Sequence, residues 1–338
     1  MEQQPKRHEK PTLKTIARLS GLAVATVSRA LGDAPDISAD TKVKVRKIAD
    51  DIGYVPNRAG VRLRTGRTNV ISLILPVETN MMNHQARLQT TIAQELRGTQ
   101  FHLNITPLFD DEDPMKPVRN VVENGLADGI IINSTRADDE RVRYMMDRKF
   151  PFATHGRTQW CQDHPYFDFD NFAFVRLAAR HLYDLGRRHI KIMLPPPGLN
   201  YSNDMIRGVD QAQRDLGISI QAISDVHGDM NAEAISAWAH DFLTQRRETD
   251  GLIITSPIAC MTIVDAIERL GLVLGKDIDV FSREAIPFLK LFRPQIHLIR
   301  EDVGWVGTNL ARAIIQAIRN PDAPPLHGLE VPTETLIF

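Results

Sequence analysis

The residues of this chain that could do chemistry fall in two places. The first is the stretch Thr12 to Leu31. Leu13, Ile16 and Ala17, and then Val24, Val27, Ala30 and Leu31, recur there at helical spacing on two short segments. Gly21 stands between them, where glycine reaches φ > 0 without a side-chain clash, and Thr12 is placed to cap the first segment. Two short helices joined by a tight turn make a hairpin whose second helix can lie in a DNA major groove. An ordinary helical hairpin has the same spacing, so the stretch alone leaves both readings open. The second place is a set of polar residues chosen because they stand at or near the ends of strand-like runs: Asn80, His155, Arg157, Asp170, Tyr201, Asn203, Ser256 and Arg283. They offer hydrogen bonds, two guanidinium groups and a ring (Tyr201, or Phe169 nearby) that can stack on a sugar. Arg157 and Asp170 lead among them, although a surface or loop hydrogen bond is an equally good account of any one.

The elements that must position these residues follow from the hydrophobic period. After Leu31 a loop leads to Ser38, a good N-cap for a third helix with Val45, Ile48, Ala49 and Ile52 on one stripe and Gly53 closing it. Lys42, Lys44, Arg46 and Lys47 lie largely off that stripe. The basic segment from Asn57 to Arg67 is too short to be stable as an isolated helix, and Gly60 weakens it further. From Thr68 strands alternate with helices. Strands are predicted at 70–75, 102–107, 129–133, 151–155, 190–194, 220–226, 251–255, 278–281, 297–299 and 329–337. Helices are predicted at about 84–97, 115–124, 138–148, 171–185, 203–216, 231–245, 259–270 and 303–319. Alternation of this kind means parallel sheets covered on both faces. Two doubly wound halves in tandem leave a cleft between them, where ligands bind beyond the carboxyl ends of the strands. The predicted fold is therefore α/β: a small all-α helix-turn-helix headpiece on a two-lobed body of two doubly wound parallel sheets.

Composition narrows the function. The chain has 338 residues, enough for two or three domains, with 43% hydrophobic and 25% charged residues. Its net charge of −1 hides an asymmetry: residues 1–67 carry 14 Lys and Arg against 7 Asp and Glu, and the remainder carries 27 against 35. A basic head on an acidic body points to a polyanion partner for the head alone. The two cysteines, Cys161 and Cys260, have no metal-ligand spacing and make no disulfide framework. The longest apolar runs are strand-sized, so no membrane span is expected. No glycine-rich phosphate loop, His/Glu metal motif or Gly-x-Ser-x-Gly elbow is present. Neither a cofactor nor a bound metal nor catalysis is expected, and a cytoplasmic location follows from reduced cysteines and the absence of a signal core.

Three further runs stand close together: Thr26-Val27-Ser28-Arg29-Ala30-Leu31, Ser38-x-x-Thr41 and Ile52-Gly53-Tyr54-Val55-Pro56-Asn57-Arg58. With Asp170-Asn171, Leu185-Gly186-Arg187-Arg188-His189-Ile190 and Gly208, they make the chain from Thr12 onward resemble the lactose-repressor (LacI) family of bacterial transcriptional regulators. The resemblance implies a homodimer on a roughly palindromic double-stranded operator, with a small-molecule effector, a sugar by expectation, in a body similar to periplasmic binding proteins. It divides the chain into a disordered tail at 1–10, a DNA-binding domain at 11–57, a hinge at 58–67 and a body at 68–338. The body's first lobe is expected at about 68–165 and 298–325, and its second at about 166–297 and 326–338.

The same resemblance places Val24, Ala25 and Arg29 at base-contacting positions. The Arg29 fork suits two acceptors of guanine, while the two apolar residues suit a thymine methyl. Thr12, Thr26, Ser28, Asn57 and Arg58 fit backbone-positioning contacts or the hinge, and Leu63 matches a minor-groove wedge. Three departures stand out. Ala23 occupies the recognition-helix N-cap, where the family has serine, which removes a cap worth about 1 kcal/mol. Met205 stands where an effector-binding arginine is common, and Ser282-Arg283 replaces an aspartate. Effector contacts therefore do not carry over residue by residue. A nucleobase or phosphorylated effector, favoured by Arg157 and Arg283, and an α/β enzyme with a fused DNA-binding head are the rival expectations.

Overall fold

In the computed structural model, which describes residues 11–54, 66–77, 82–109, 111–228, 230–245 and 248–333, three helices build the head. They belong to the first of two units, Met1–Thr68 and Asn69–Phe338. Helix α1 is Leu13–Ser20, α2 is Val24–Leu31 and α3 is Ala39–Asp51. Thr12 caps α1, its N–H donating to Thr15 Oγ1 at 3.1 Å. Gly21 ends α1 at φ 74°, its N–H bonded to Ala17 O at 3.0 Å. That left-handed turn swings α2 back across α1, and a side chain there would be strained. Ser38 caps α3, with its Oγ 2.8 Å from Thr41 Oγ1. The core of the head is small: Ile16, Val27, Ala30, Val45 and Ala49 are buried, with Leu13, Leu31, Ile48 and Ile52 packed around them. Val24, the first residue of α2 and expected on that apolar stripe, is 41% exposed.

The body holds two all-parallel sheets. The first has β1 (Val70–Pro76), β2 (His102–Leu108), β3 (Gly129–Ile132), β4 (Phe152–His155), β5 (Tyr166–Phe169) and β11 (His327–Glu330), in the order 11-5-4-3-1-2. The second has β6 (His189–Met193), β7 (Ser219–Ile223), β8 (Gly251–Ile254), β9 (Asp279–Glu284) and β10 (His297–Arg300), in the order 10-9-8-6-7. Central strands read as unbroken apolar runs because both faces are covered. On one side of the first sheet, Ile71, Leu73 and Ile131 pack under α4 (Met82–Glu95) and α12 (Val303–Arg319). On the other, Ile74, Ile130 and Ile132 meet α5 (Met115–Glu123) and α6 (Glu140–Asp147). The second sheet is covered by α7 (Asn171–Asp184) and α8 (Asn200–Leu216) on one face, and by α9 (Ala232–Thr244) and α10 (Pro257–Arg269) on the other. Gly208 lets α8 approach α7 closely: a Cβ there would stand 2.9 Å from both Phe172 O and Val175 Cβ.

The sheets divide the chain differently from the expected lobes. Tyr166–Phe169 and His327–Glu330 pair with each other and lie in the first sheet, not the second. His297–Arg300 pairs with β9 and lies wholly in the second. The reason is pairing: β5 continues the first sheet beyond Thr154 and His155, and β11 needs β5 as its neighbour. Tyr166–Phe169 and the short α11 (Leu289–Phe292) were not predicted, and the last described strand is His327–Glu330, while positions 334–337 of the predicted strand lie outside the described residues. The chain passes between the halves at Asp170 and at Glu301-Asp302. Both aspartates cap the following helix, Asp170 through Ala173 N at 3.0 Å and Asp302 through Trp305 N at 2.9 Å. Glu330 joins the crossings: its carbonyl accepts from Asp170 N at 2.8 Å and its carboxylate from Asp302 N at 3.0 Å. No helix among the described residues is long and apolar enough to cross a membrane.

Candidate functional site

The head presents one polar and one buried side of α2. Val27 and Ala30 are buried, so Val24, Ala25 and Arg29 are exposed and Thr26 and Ser28 half-buried. Ala23 sits at the N-cap with no side-chain bond, leaving the first N–H groups of α2 without that partner. Arg29 forms an ion pair with Asp36 in the following loop. Part of the basic character of α3 is turned inward to the head: Arg46 and Lys42 both meet Asp33, at 2.8 and 3.2 Å, and Lys44 donates to Ser20 O at 3.0 Å. Asn57, Arg58 and Leu63 lie outside the described residues, as does Asn80 of the body.

In the body, the carboxyl ends of both sheets face a narrow recess of about 40 Å³. It is lined by His84, Asn133, Ser134, His155, Gly156, Asp168, Phe169, Asn171, Tyr201, Arg283 and Glu301. Of the expected effector residues it gathers His155, Tyr201 and Arg283. Arg283 is held by three acceptors: its Nη1 donates to Asn171 Oδ1 at 2.7 Å, its Nε to Thr255 O at 3.3 Å, and Glu301 Oε2 lies 3.8 Å away. The guanidinium also stands 5.7 Å from the ring centres of Phe169 and Phe174. His155 donates from Nδ1 to Phe167 O at 3.0 Å, and its Nε2 lies 3.2 Å from His84 Nε2. His84 Nε2 lies in turn 3.3 Å from Glu301 Oε1. Burial, reinforced by His84, pushes the His155 imidazolium down, so the ring is neutral. Burial alone would raise Glu301, but Arg283 and His84 hold its carboxyl at about 2.

The other expected residues have different work. Arg157 is a bridge between the halves, donating from Nε to Asp168 Oδ2 at 2.8 Å and from Nη2 to Asp204 Oδ2 at 2.7 Å. Arg207 takes the other oxygen of Asp204. A backbone bond from Asn200 N to Thr135 O, 2.8 Å, ties the same rim. Asp170 is the N-cap of α7 and Ser256 that of α10, while Asn203 is exposed. The near neighbours of Asp170 in the chain, Asp168, Phe169 and Asn171, do line the recess. Met205 is fully buried between α7 and α8, so the arginine position of the resemblance is core here. Sequence reasoning missed His84, Asn133, Ser134, Asp168, Asn171 and Glu301 as recess residues. The strand-end rule would have reached Glu301 had β10 been extended by one residue.

Comparison with known proteins fits both parts. The profile described as bacterial regulatory proteins, lacI family, matches residues 12–57, and that of the periplasmic binding protein-like domain matches residues 179–338. The HTH-type transcriptional regulator AglR of Rhizobium meliloti is 29% identical over 314 residues, 91% of this chain and 88% of the relative. The Lac repressor dimer bound to operator and the anti-inducer ONPF shares the fold at TM-score 0.80, with 18% identity over 95% of this chain and 96% of that one. The regulator CelR in complex with cellobiose does so at TM-score 0.68, with 19% identity over 95% and 97%. A head that matches the lacI family and a body that matches the periplasmic binding protein-like domain, with HTH-type transcriptional regulators as relatives across both parts, give this chain the make-up of a DNA-binding transcriptional regulator similar to those of the LacI family.

Proposed function

We propose that this regulator is a repressor whose body takes a neutral, polyhydroxylated effector, a sugar, in the recess between its halves. One observation carries the effector class: the arginines of the cleft are already matched by acids. Arg157 has Asp168 and Asp204, and Arg283 has Glu301 and the Asn171 carbonyl oxygen. A phosphate entering here would have to displace carboxylates from both, which costs more than an anion recovers. Hydroxyl groups both donate and accept, and they can join such a network without breaking its charge balance. The cellobiose bound by the CelR relative supports the same class.

In this reading two copies of the chain hold a roughly palindromic operator. Arg29 reads guanine, Val24 and Ala25 touch methyl groups, and Thr12, Thr26, Ser28, Asn57 and Arg58 fix the register. Leu63, in a hinge at 58–67, wedges into the minor groove. The effector shifts a population of body conformations, and it can do so only through different affinities for the two states. A thermal-shift screen of the full chain against neutral mono- and disaccharides, sugar phosphates and purines tests the effector class. A saccharide is expected to raise the melting temperature and to change operator affinity in a mobility-shift assay. Stabilisation by phosphates or purines alone would overturn it.

A further inference from the structure

Within the recess, three groups from distant parts of the chain converge in a way that hydrogen bonding alone does not satisfy. His84 comes from the first turn of α4, His155 from the end of β4 and Glu301 from the crossing after β10. The carbonyl of Phe167 can only accept, so His155 carries its proton on Nδ1 and presents a lone pair from Nε2. That lone pair and the carboxylate oxygen Oε1 of Glu301 both face His84 Nε2, at 3.2 and 3.3 Å. One nitrogen can offer one proton to those two acceptors. His84 Nδ1 is buried with no hydrogen-bond partner, so nothing there fixes which nitrogen of that ring is protonated.

A cation at the meeting point resolves the conflict. Zn²⁺ bonds to histidine nitrogen and carboxylate oxygen at about 2.0–2.1 Å in tetrahedral geometry, which sets neighbouring ligand atoms about 3.3–3.4 Å apart. The two closest separations here are 3.2 and 3.3 Å, and all three ligand atoms lie within 4.8 Å of one another. The His155 Nδ1–H to Phe167 carbonyl bond is the outer-shell contact that orients a metal-ligating imidazole. Two nitrogens and one carboxylate suit zinc or a similar transition metal rather than magnesium or calcium, which take oxygen sets. Among the described residues this is the only group of three or more metal-ligating side chains so disposed. We propose that His84 Nε2, His155 Nε2 and Glu301 Oε1 bind one divalent transition-metal ion of the zinc class on the wall of the recess.

The test uses the untagged full-length chain, stripped with a chelator and titrated with Zn²⁺ alone against a competing chromophoric chelator. One Zn²⁺ per chain is expected, weakened about 100-fold or more in each of His84→Asn and His155→Asn. Circular dichroism shows whether each variant folds. X-ray absorption of the zinc-loaded wild type gives an answer that needs no variant: two imidazoles and oxygen are expected. The proposal is overturned by a wild type that cannot compete for Zn²⁺, by undiminished binding in both variants, or by a shell with sulfur or fewer than two imidazoles. No sugar enters the experiment, so its failure leaves the effector reading standing.

Discussion

Replacing Arg157 with methionine should weaken the body more than any exposed charge substitution. The methionine keeps most of the aliphatic stem and removes both ion pairs that Arg157 makes, to Asp168 and Asp204. Removing one partner of a buried pair costs about 3–5 kcal/mol, because the other charge is left without compensation. Two features lower that figure here. Arg157 keeps 22% side-chain exposure, and Asp204 keeps Arg207. Asp168 then carries most of the loss; burial already pushes its carboxyl up, and it can take a proton instead of remaining charged. A loss of about 2–3 kcal/mol results. With a urea slope of about 3 kcal/mol/M, the midpoint falls by about 1 M or slightly less. The assay is selective, since all three tryptophans, Trp160, Trp238 and Trp305, belong to the body unit. Arg207→Met is the control: its side chain is 66% exposed, and a loss under about 1 kcal/mol is expected. Equal losses in the two variants, or less than about 1 kcal/mol for Arg157→Met, would refute the bridge as a lock between the halves.

Other parts of the molecule are open to similar tests. Arg29→Ala should reduce discrimination between operator and altered sequence by about 1–3 kcal/mol in mobility-shift titrations, and a uniform loss over all sequences would show a phosphate contact instead. Asp36→Asn, which releases Arg29 from its ion pair, should tighten binding to both operator and unrelated DNA and steepen its salt dependence. Burial pushes the Cys260 thiol up to about 12, so at pH 8 a maleimide should label Cys161 alone in the native chain and both thiols in denaturant. Asp139 is buried, which by itself raises its carboxyl, but Arg141 and two backbone N–H groups bring it below the ordinary value. Because the folded state holds this acid down, its contribution is present above the unfolded value and is lost as pH falls through the folded one. Asp139→Asn should therefore remove part of the acid-side decline in urea midpoint.

What the sequence could tell depended on the range of the interaction that fixes each feature. Helices such as Val303–Arg319 and Asn171–Asp184 are written in local periodicity and caps, and they stand where that pattern puts them. Tyr166–Phe169 is four residues long, too short to show alternation, and exists because β4 and β11 flank it. The lobe boundaries went with it. At the recess, strand-end position found His155 and Arg283 but took Asp170 in place of Asp168 and Asn171. The Asp170 carboxylate is taken by the α7 cap, accepting from Ala173 N, while its neighbours line the recess. His84 and Glu301 are 217 positions apart and meet only because two crossing segments and a parallel sheet bring them together. No motif or spacing announces such a pair. The Arg29–Asp36 pair is hidden for a related reason, since it depends on how the loop after α2 doubles back.

The charge matching of the cleft bears on how an effector can act at all. The rim between the halves is already tied by Arg157–Asp204 and by Asn200 N to Thr135 O, so rim closure is not something an effector must supply. Its influence has to come from contacts made better in one body conformation than in another. A ligand that reached Arg283 by displacing Glu301 would leave a buried carboxylate uncompensated, a penalty comparable to the whole gain from a charge-assisted bond. A hydroxyl can instead accept from Arg283 while donating to Glu301 or Asp168, keeping every pair intact. For the neutral saccharide proposed above, selectivity would then rest on where hydroxyls stand around a ring, not on charge. Under this logic Glu301→Gln should weaken a neutral saccharide while improving tolerance of an anionic one. A variant that lost both classes equally, or neither, would break the link between charge matching and effector choice.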